Sequence, residues 1–252
     1  MAYRDHDDMD FIWIMAILAG ALAGGFVSGL AGFGTGLTAL VLWLQVLPPV
    51  TAATLVILCS VTAQIQSLPV IRHEIDIRQL WPFVLPGLLG VPIGAALLAH
   101  VDVGTLKFCV GLLLLAYTAQ SLAGGTSGPV AWGGRAADAI VALGGGILGG
   151  LAGLSGPLPT LWANLRGWEK ARKRTVIQAF NLAVLLLALA VHLARGYLTG
   201  ETLTAFAIAL PGTVTGAWLG ARIYAQMSDA RFTRIILILL ALSGIALVAG
   251  NF

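Results

Sequence analysis

Two stretches of this chain have nearly the same sequence. The first, Gly24–Leu40, reads GGFVSGLAGFGTGLTAL, and the second, Gly145–Leu161, reads GGILGGLAGLSGPLPTL. They share eight of 17 residues at an offset of 121 positions, including the block Gly-Leu-Ala-Gly at Gly29–Gly32 and Gly150–Gly153. Because repetition at a fixed offset is typical of a duplicated unit, the chain is predicted to contain two homologous halves.

A second repeated feature follows the first in each half. It consists of Leu-Pro-Gly and two glycines four residues apart: Leu85-Pro-Gly87 with Gly90 and Gly94, then Leu210-Pro-Gly212 with Gly216 and Gly220. Glycines at this spacing typically allow close packing of membrane helices, which is the role predicted for them. The halves are predicted at 11–123 and 138–250, joined by a linker at 124–137 that begins Gly-Gly-Thr-Ser-Gly-Pro.

The composition places both halves in a membrane. Charged residues make up 10% of the 252 residues, whereas a soluble domain carries about 25%. From Phe11 to Ile71 there are 61 consecutive residues without Asp, Glu, Lys, Arg or His. About 20 apolar residues cross the hydrocarbon core, and continuous runs do not fit the alternating strands of a barrel. The predicted fold is an all-α polytopic membrane protein.

The apolar runs divide each half into a long first segment and three ordinary ones. Their predicted bounds are 11–47, 51–71, 79–99 and 103–123, then 138–165, 175–194, 203–224 and 232–250. The glycine-rich stretch interrupts the first segment of each half. That segment is therefore either a kinked helix that crosses once or a re-entrant hairpin, since irregular backbone in a membrane must be buried in protein or line a cavity.

The basic residues favour the hairpin, because cytoplasmic loops are enriched in Lys and Arg. A single crossing divides the 14 basic residues nine to five between the two sides, whereas the hairpin divides them 11 to three. The hairpin interpretation places both termini outside and makes the halves inverted repeats, a frequent transporter plan. The predicted location is the inner (plasma) membrane, which the chain crosses several times.

The two glycine-rich turns are the candidate binding site. Backbone N–H groups can face a cavity there, and the helices that resume at Leu37 and Leu158 would present positive N-terminal ends. The predicted substrate-binding residues of the turns are Gly32, Phe33, Gly34, Thr35 and Gly36, and Gly153, Leu154, Ser155 and Gly156. The alternative is that the glycines only allow close helix packing.

Amide side chains within apolar runs are further candidates. Gln64 and Asn181 are predicted to reach the pocket, and the alternative is an interhelical hydrogen bond. Gln66, Gln178 and Asn164 occupy similar positions. His100 and His192 lie at segment ends and are interpreted as interfacial histidines, with proton coupling as the alternative.

The sequence gives little support to other function classes. No Ser/His/Asp arrangement, HExxH motif or carboxylate pair falls within a membrane segment, so an enzyme is not expected. Cys59 and Cys109 lack metal-binding spacing, and no cofactor or metal is expected. The net charge of +3 is attributed to membrane orientation rather than to nucleic-acid binding. The expected partners are a small anionic substrate and membrane lipids, and whether the chain forms homo-oligomers stays open.

The order of these motifs resembles the sulfite exporter TauE/SafE family of bacterial membrane proteins. The resemblance extends from about residue 16 to 249 and depends on the duplicated glycine-rich stretch and the duplicated Leu-Pro-Gly motif. It implies secondary transport, usually export, of sulfite or organosulfonates. Pro157 and Pro159 replace Gly36 and Thr38 of the first motif, which predicts an asymmetric site.

Overall fold

The computed structural model describes residues 2–71, 77–100, 102–122 and 133–226, and nine helical positions between 234 and 249. Within these ranges the chain is helical and contains no strand. The helices are α1 (Ala2–Ala31), α2 (Thr35–Val46), α3 (Pro49–Ile71), α4 (Ile77–Leu97), α5 (Val103–Leu122), α6 (Gly134–Ala152), α7 (Pro157–Leu165), α8 (Lys170–Ala194) and α9 (Gly200–Gln226). The prediction of an all-α fold is confirmed for this part of the chain.

Helix length and surface composition agree with a membrane protein. Six of the described helices are long and apolar enough to cross a membrane: Phe11–Ala31, Pro49–Gln66, Leu80–Leu97, Gly134–Ala152, Arg172–Ala194 and Gly200–Tyr224. Large apolar side chains also cover the outside, and Ile140 is 70% exposed. A surface of this kind is stable against lipid tails and would be unfavourable in water.

The first glycine-rich stretch reverses the direction of the chain. Trp43 Nε1 of α2 donates to the Ile17 carbonyl of α1 at 3.2 Å. Nearer the turn, a Cβ added at Gly24 would lie 3.3 Å from Ala39 Cβ. Contacts that pair later residues of α2 with earlier residues of α1 make the two helices antiparallel, as the hairpin interpretation requires. We call residues 2–46 hairpin 1.

The second glycine-rich stretch forms a matching hairpin. Trp162 Nε1 of α7 donates to Asp138 Oδ1 of α6 at 2.7 Å. A Cβ added at Gly149, near the turn, would lie 3.0 Å from Ser155 Cβ. Gly153 ends α6 with φ of 70°, a backbone conformation that favours glycine. We call residues 134–165 hairpin 2.

Each hairpin packs against a helix of the other half. α1 runs parallel to α9, where Gly216 and Gly220 lie directly against the backbone of Leu22 and Phe26. α6 runs parallel to α4, where Gly90 and Gly94 face the carbonyl oxygens of Leu143 and Ile147. A side chain at any of these glycines would separate the helix backbones, so the prediction of close packing is confirmed.

Helices α3 and α8, which occupy equivalent positions in the two halves, contact each other and run in opposite directions. Near one end, Thr54 of α3 is hydrogen-bonded to His192 of α8. Towards the other end, Gln64 of α3 and Asn181 of α8 both donate to the carbonyl of Gly32. Since Thr54 precedes Gln64 whereas His192 follows Asn181, the two helices are antiparallel.

The helix bounds differ from the predicted segments mainly at the starts of the hairpins. α1 begins at Ala2, within the acidic sequence that precedes the predicted bound at 11. α6 begins at Gly134, so the described end of the predicted linker is already helical, while 124–132 lie outside the described residues. The predicted last segment, 232–250, is represented by the helical positions between 234 and 249.

Candidate functional site

The turns of the two hairpins meet in the interior of the molecule. A Cβ added at Gly156 in the second turn would lie 2.5 Å from Phe33 Cβ in the first. Conversely, a Cβ added at Gly36 would lie 2.9 Å from Leu154 Cδ2. Each turn thus places an apolar side chain against a glycine of the other, and only glycine leaves room for that approach.

A pocket containing about 250 Å³ of space lies where the turns meet. It is lined by Ser28, Phe33, Gly34, Thr35, Gly36, Leu37, Ser60, Gln64, Gly153, Leu154, Ser155, Gly156, Pro157, Asn181 and Leu185. Every predicted site residue except Gly32 belongs to this lining. This space includes regions that are open to solvent; the cavity volume that can be compared with ligand pockets is about 10 Å³, about the room that one water molecule needs.

The first turn presents unoccupied hydrogen-bond donors to the pocket. Gly34 adopts φ of 108°, and α2 begins at the next residue, Thr35. The amides of Thr35 and Gly36 lie in the first turn of α2, where a helix has no internal acceptors. The Thr35 hydroxyl is 1% exposed, and no partner lies within hydrogen-bond distance of it among the described residues. This end of the pocket therefore offers both a hydroxyl and a positive helix terminus.

The second turn offers fewer free donors. Ser155 Oγ donates to Asn181 Oδ1 at 2.9 Å, so its proton is already engaged. α7 begins with Pro157, and Pro159 follows within its first turn. Because proline has no N–H, the N-terminus of α7 supplies fewer amides than that of α2. The predicted asymmetry of the site agrees with this geometry.

The two amide side chains at the pocket hold the first turn in place. Gln64 Nε2 donates to the Gly32 carbonyl at 2.6 Å, and Asn181 Nδ2 donates to the same oxygen at 3.2 Å. These are the interhelical hydrogen bonds of the alternative interpretation, although both residues also line the pocket. With two donors, the Gly32 carbonyl is fully paired.

The remaining amide candidates lie outside the pocket lining. A Cβ added at Gly32 would lie 3.7 Å from Gln178 Oε1, so Gln178 lies behind the first turn. Gln66 donates to the Val214 carbonyl at 3.3 Å, and Asn164 accepts from Lys173 Nζ at 2.7 Å. Their contacts are those of helix connectors.

Two buried serines in the lining were missed by the sequence analysis. Ser28 and Ser60 are 3% and 4% exposed. Each lies four residues before a residue that was singled out, Gly32 and Gln64, and therefore on the same helix face. Helical spacing was the signal that could have identified them.

His192 is covered by other helices, which its position near a segment end did not predict, while its depth in the membrane stays a prediction. Its side chain is fully buried, with Nδ1 at 2.9 Å from Thr54 Oγ1 and Nε2 at 3.0 Å from the Gly150 carbonyl. It lies near the end of an apolar run, but hairpin 2 and α3 cover it. His100, by contrast, is exposed.

The chemistry of the pocket lining is polar but uncharged. Its polar side chains are three serines, one threonine and two carboxamides. Among the described residues, no three His, Cys, Asp or Glu side chains come together in a way that could hold a metal ion. The lining can bind a small anion through partial charges, and it presents no nucleophile and base in the described geometry.

Comparison with known proteins gives the family. Residues 16–247 match the family model of the sulfite exporter TauE/SafE. The chain belongs to the TauE/SafE family. The match covers hairpin 1 from residue 16 onward, all of hairpin 2 and most of the described positions of the last segment. No curated protein and no solved structure matches the chain. Membership of this family and the six apolar helices together show that the chain is a multi-pass membrane protein. The family is one of transporters, and membership implies export of sulfite or related sulfur anions.

Proposed function

We propose that this protein is a secondary transporter that exports sulfite or a small organosulfonate, and that the pocket between the two turns binds the anion. The observation that carries the proposal is the Thr35 hydroxyl, which is buried in the pocket wall beside a helix N-terminus and has no partner in the described structure. A buried donor of this kind costs free energy unless a ligand accepts from it.

The absence of charge from the pocket lining suits transport of an anion. A helix terminus carries about half an elementary charge, and hydroxyls add only partial charges. These groups can replace part of the hydration shell of a sulfite or sulfonate ion, and they bind the ion less tightly than a buried Lys or Arg would. A carrier needs this balance, because its ligand must leave as readily as it binds.

We further propose that the halves are inverted repeats that operate by alternating access. The antiparallel contact of α3 with α8 supports this, because equivalent helices of inverted repeats run in opposite directions. The exchanged pairs α1 with α9 and α4 with α6 support the same symmetry.

The depth of the first turn supports a re-entrant hairpin. Gly32 is level with Gln64, which lies 15 residues after the start of α3 and seven before its end. At 1.5 Å per residue, these intervals correspond to about 22 Å and 10 Å. The turn of hairpin 1 is thus level with the interior of α3, a helix that is long enough to cross the membrane. The turn of hairpin 2 would approach the same depth from the opposite side of the membrane.

The basic residues give the proposed orientation. Eleven of the 14 Lys and Arg residues lie on one side in the hairpin topology, which supports the proposal that this side faces the cytoplasm in a bacterial inner membrane. The basic group Arg166–Arg174 follows hairpin 2 on that side, where it can bind anionic lipid head groups.

Flux in proteoliposomes tests the proposal. Wild-type protein is expected to move radiolabelled sulfite and to be inhibited by methanesulfonate. Thr35→Val should be impaired, whereas Thr38→Val should not, because Thr38 lies outside the lining and its hydroxyl bonds to its own helix. Absence of flux with both anions, or a Thr35→Val variant as active as wild type, would contradict the proposal. Flux of a different small solute through the same pocket would identify a permease of another specificity.

A further inference from the structure

His192 joins three helices from the two halves of the chain. The residue itself belongs to α8, its Nδ1 contacts Thr54 of α3, and its Nε2 contacts the carbonyl of Gly150 in α6. It lies outside the pocket lining, so its role is separate from anion contact. Because Gly150 precedes the second turn by three residues, any change at His192 acts close to one wall of the pocket.

The Gly150 carbonyl is available because the end of α6 is irregular. In a regular helix this oxygen would accept from the amide of Leu154, but Leu154 N–H donates to the Leu148 carbonyl at 3.1 Å instead. A carbonyl can only accept, so the Nε2 atom of His192 must carry a proton. The negative end of the α6 dipole lies at the same place and favours a positive charge there.

Thr54 determines the state of the other ring nitrogen. Its hydroxyl lies 2.7 Å from the Val50 carbonyl and 2.9 Å from His192 Nδ1. A hydroxyl has one proton, so if it donates to Val50 it must accept from His192, and Nδ1 must then be protonated too. Only the doubly protonated ring can make all three hydrogen bonds at once.

The groups around the ring define what else can influence its charge. From α3 it faces the Thr54 hydroxyl, and from α6 it faces the Gly150 carbonyl. The Tyr197 ring lies edge-on at 5.2 Å between centroids. Among the described residues, Arg195 at the end of the same helix is the charged side chain that acts on it, and no carboxylate pairs with it there.

We infer that His192 is a proton-binding site that connects the two halves. With the proton bound, the ring joins Thr54 of the first half to Gly150 of the second. When Nδ1 loses its proton, the Thr54 hydroxyl donates to Nδ1 instead of to Val50, and a weaker neutral hydrogen bond replaces the charge-assisted one between the halves. Because separation of the halves is needed for alternating access, protonation slows opening at this end. The effect on flux rests on the proposed transport function, whereas proton binding does not.

Proton binding is tested without any substrate. The chain has four histidines, so His6→Gln, His73→Gln and His100→Gln together leave His192 alone for ring-nitrogen NMR in lipid nanodiscs. The ring is expected to gain a second protonated nitrogen as the pH is lowered from about 8 to 5, because imidazole is the side chain that can bind a proton in this range. Thr54→Val, which keeps the shape of the side chain, should weaken proton binding. A ring that stays neutral throughout, or is unaffected by Thr54→Val, would overturn the inference.

Flux tests the consequence for transport. Methanesulfonate is the probe, because its own charge is constant over this range, and exchange is measured with equal pH on both sides. Wild-type exchange should fall by up to about tenfold for each pH unit below the midpoint of the titration, because the deprotonated fraction falls by that factor on a one-proton curve. His192→Gln should abolish this dependence, and His100→Gln, at an exposed position, should retain it.

The outcomes separate the two proposals. If the ring titrates but no anion is transported, the proton site stands and the proposed substrate class is wrong. If exchange occurs and His192→Gln has the same pH dependence as wild type, the transport function stands and the inferred role of His192 is wrong. Should His192→Gln fail to fold, Thr54→Val provides the same comparison.

Discussion

Gln64 and Asn181, which come from opposite halves of the chain, donate hydrogen bonds to the same carbonyl oxygen, that of Gly32. The bonds connect α3, α8 and the turn of hairpin 1 at one point beside the pocket. A carbonyl at a turn would otherwise be an unpaired acceptor in a membrane interior. The shared acceptor therefore stabilises the turn.

The first prediction concerns this shared acceptor. Gln64→Met should lower stability by about 1 kcal/mol, because Gly32 keeps one donor. Asn181→Leu should cost more, since it also leaves the Ser155 hydroxyl without its acceptor. The double variant should lose more than the sum, because the Gly32 carbonyl is then unpaired. Thermal unfolding in detergent measures the effects, and Gln45→Met is the control, because Gln45 is exposed and donates to the Val41 carbonyl of its own helix. Strict additivity would show that the two bonds are independent.

The second prediction concerns the Thr35 hydroxyl. Thr35→Val removes a hydrogen bond to a charged ligand, worth about 1.5 to 3 kcal/mol, so anion binding should weaken by about 10- to 100-fold. The folded protein should be as stable as wild type or slightly more stable, because the hydroxyl has no partner within the described structure. Sulfite titration and thermal unfolding measure the two effects. A loss of stability that accompanied the loss of affinity would indicate a structural role instead.

The third prediction concerns the contact between the turns. Gly156 has φ of −78°, which alanine also adopts, so Gly156→Ala acts through volume alone. The new methyl group would meet Phe33 Cβ, which cannot move without the backbone, and overpacking of this kind costs about 1 to 3 kcal/mol. Gly36→Ala should cost less, because it meets the flexible ends of Leu154 and Val56.

The matched control for the turn variants is Gly200→Ala. No atom would lie within 4 Å of a Cβ at Gly200, so this change should have no effect on thermal stability or on sulfite flux. If Gly156→Ala and Gly200→Ala were equally stable and equally active, the close approach of the two turns would be required neither for stability nor for transport.

The fourth prediction concerns topology. After Cys59 and Cys109 are replaced by serine, the Thr126→Cys variant should react with a membrane-impermeant thiol reagent that is added on the cytoplasmic side. A cysteine added after Phe252 should react from the outer side. Labelling of right-side-out and inverted vesicles distinguishes the two. Reaction of both cysteines from one side would exclude the inverted-repeat arrangement.

The sequence favoured the hairpins and identified ten of the residues that line the pocket, but it did not predict the contacts between the halves. The duplicated glycines indicated two irregular turns. The apolar residues around Gln64 and Asn181 in the sequence indicated that both side chains could be buried. That both amides would donate to one carbonyl could not be predicted, because their common acceptor, Gly32, is 32 residues from one and 149 from the other. The role of the predicted residues in binding stays a prediction.

His192 illustrates a second limit. His192 lies close to the end of an apolar run, which indicated a position near the membrane surface. Its burial depends on the irregular end of α6, which presents the Gly150 carbonyl, and on the position of Thr54 in α3. Depth within one helix can be estimated from sequence, whereas cover provided by other helices cannot.

The exchanged packing of the hairpins also has a consequence for synthesis. Gly25 of α1 lies against Thr213 of α9, which is 188 residues further along the chain. At about 5 to 20 residues per second, roughly 10 to 40 seconds pass before the ribosome has made that partner. During this interval the glycine-rich face of α1 is in contact with lipid or with another membrane protein. Neither half can complete its own packing alone, so a nascent chain becomes a stable transporter only when nearly all of it has been inserted.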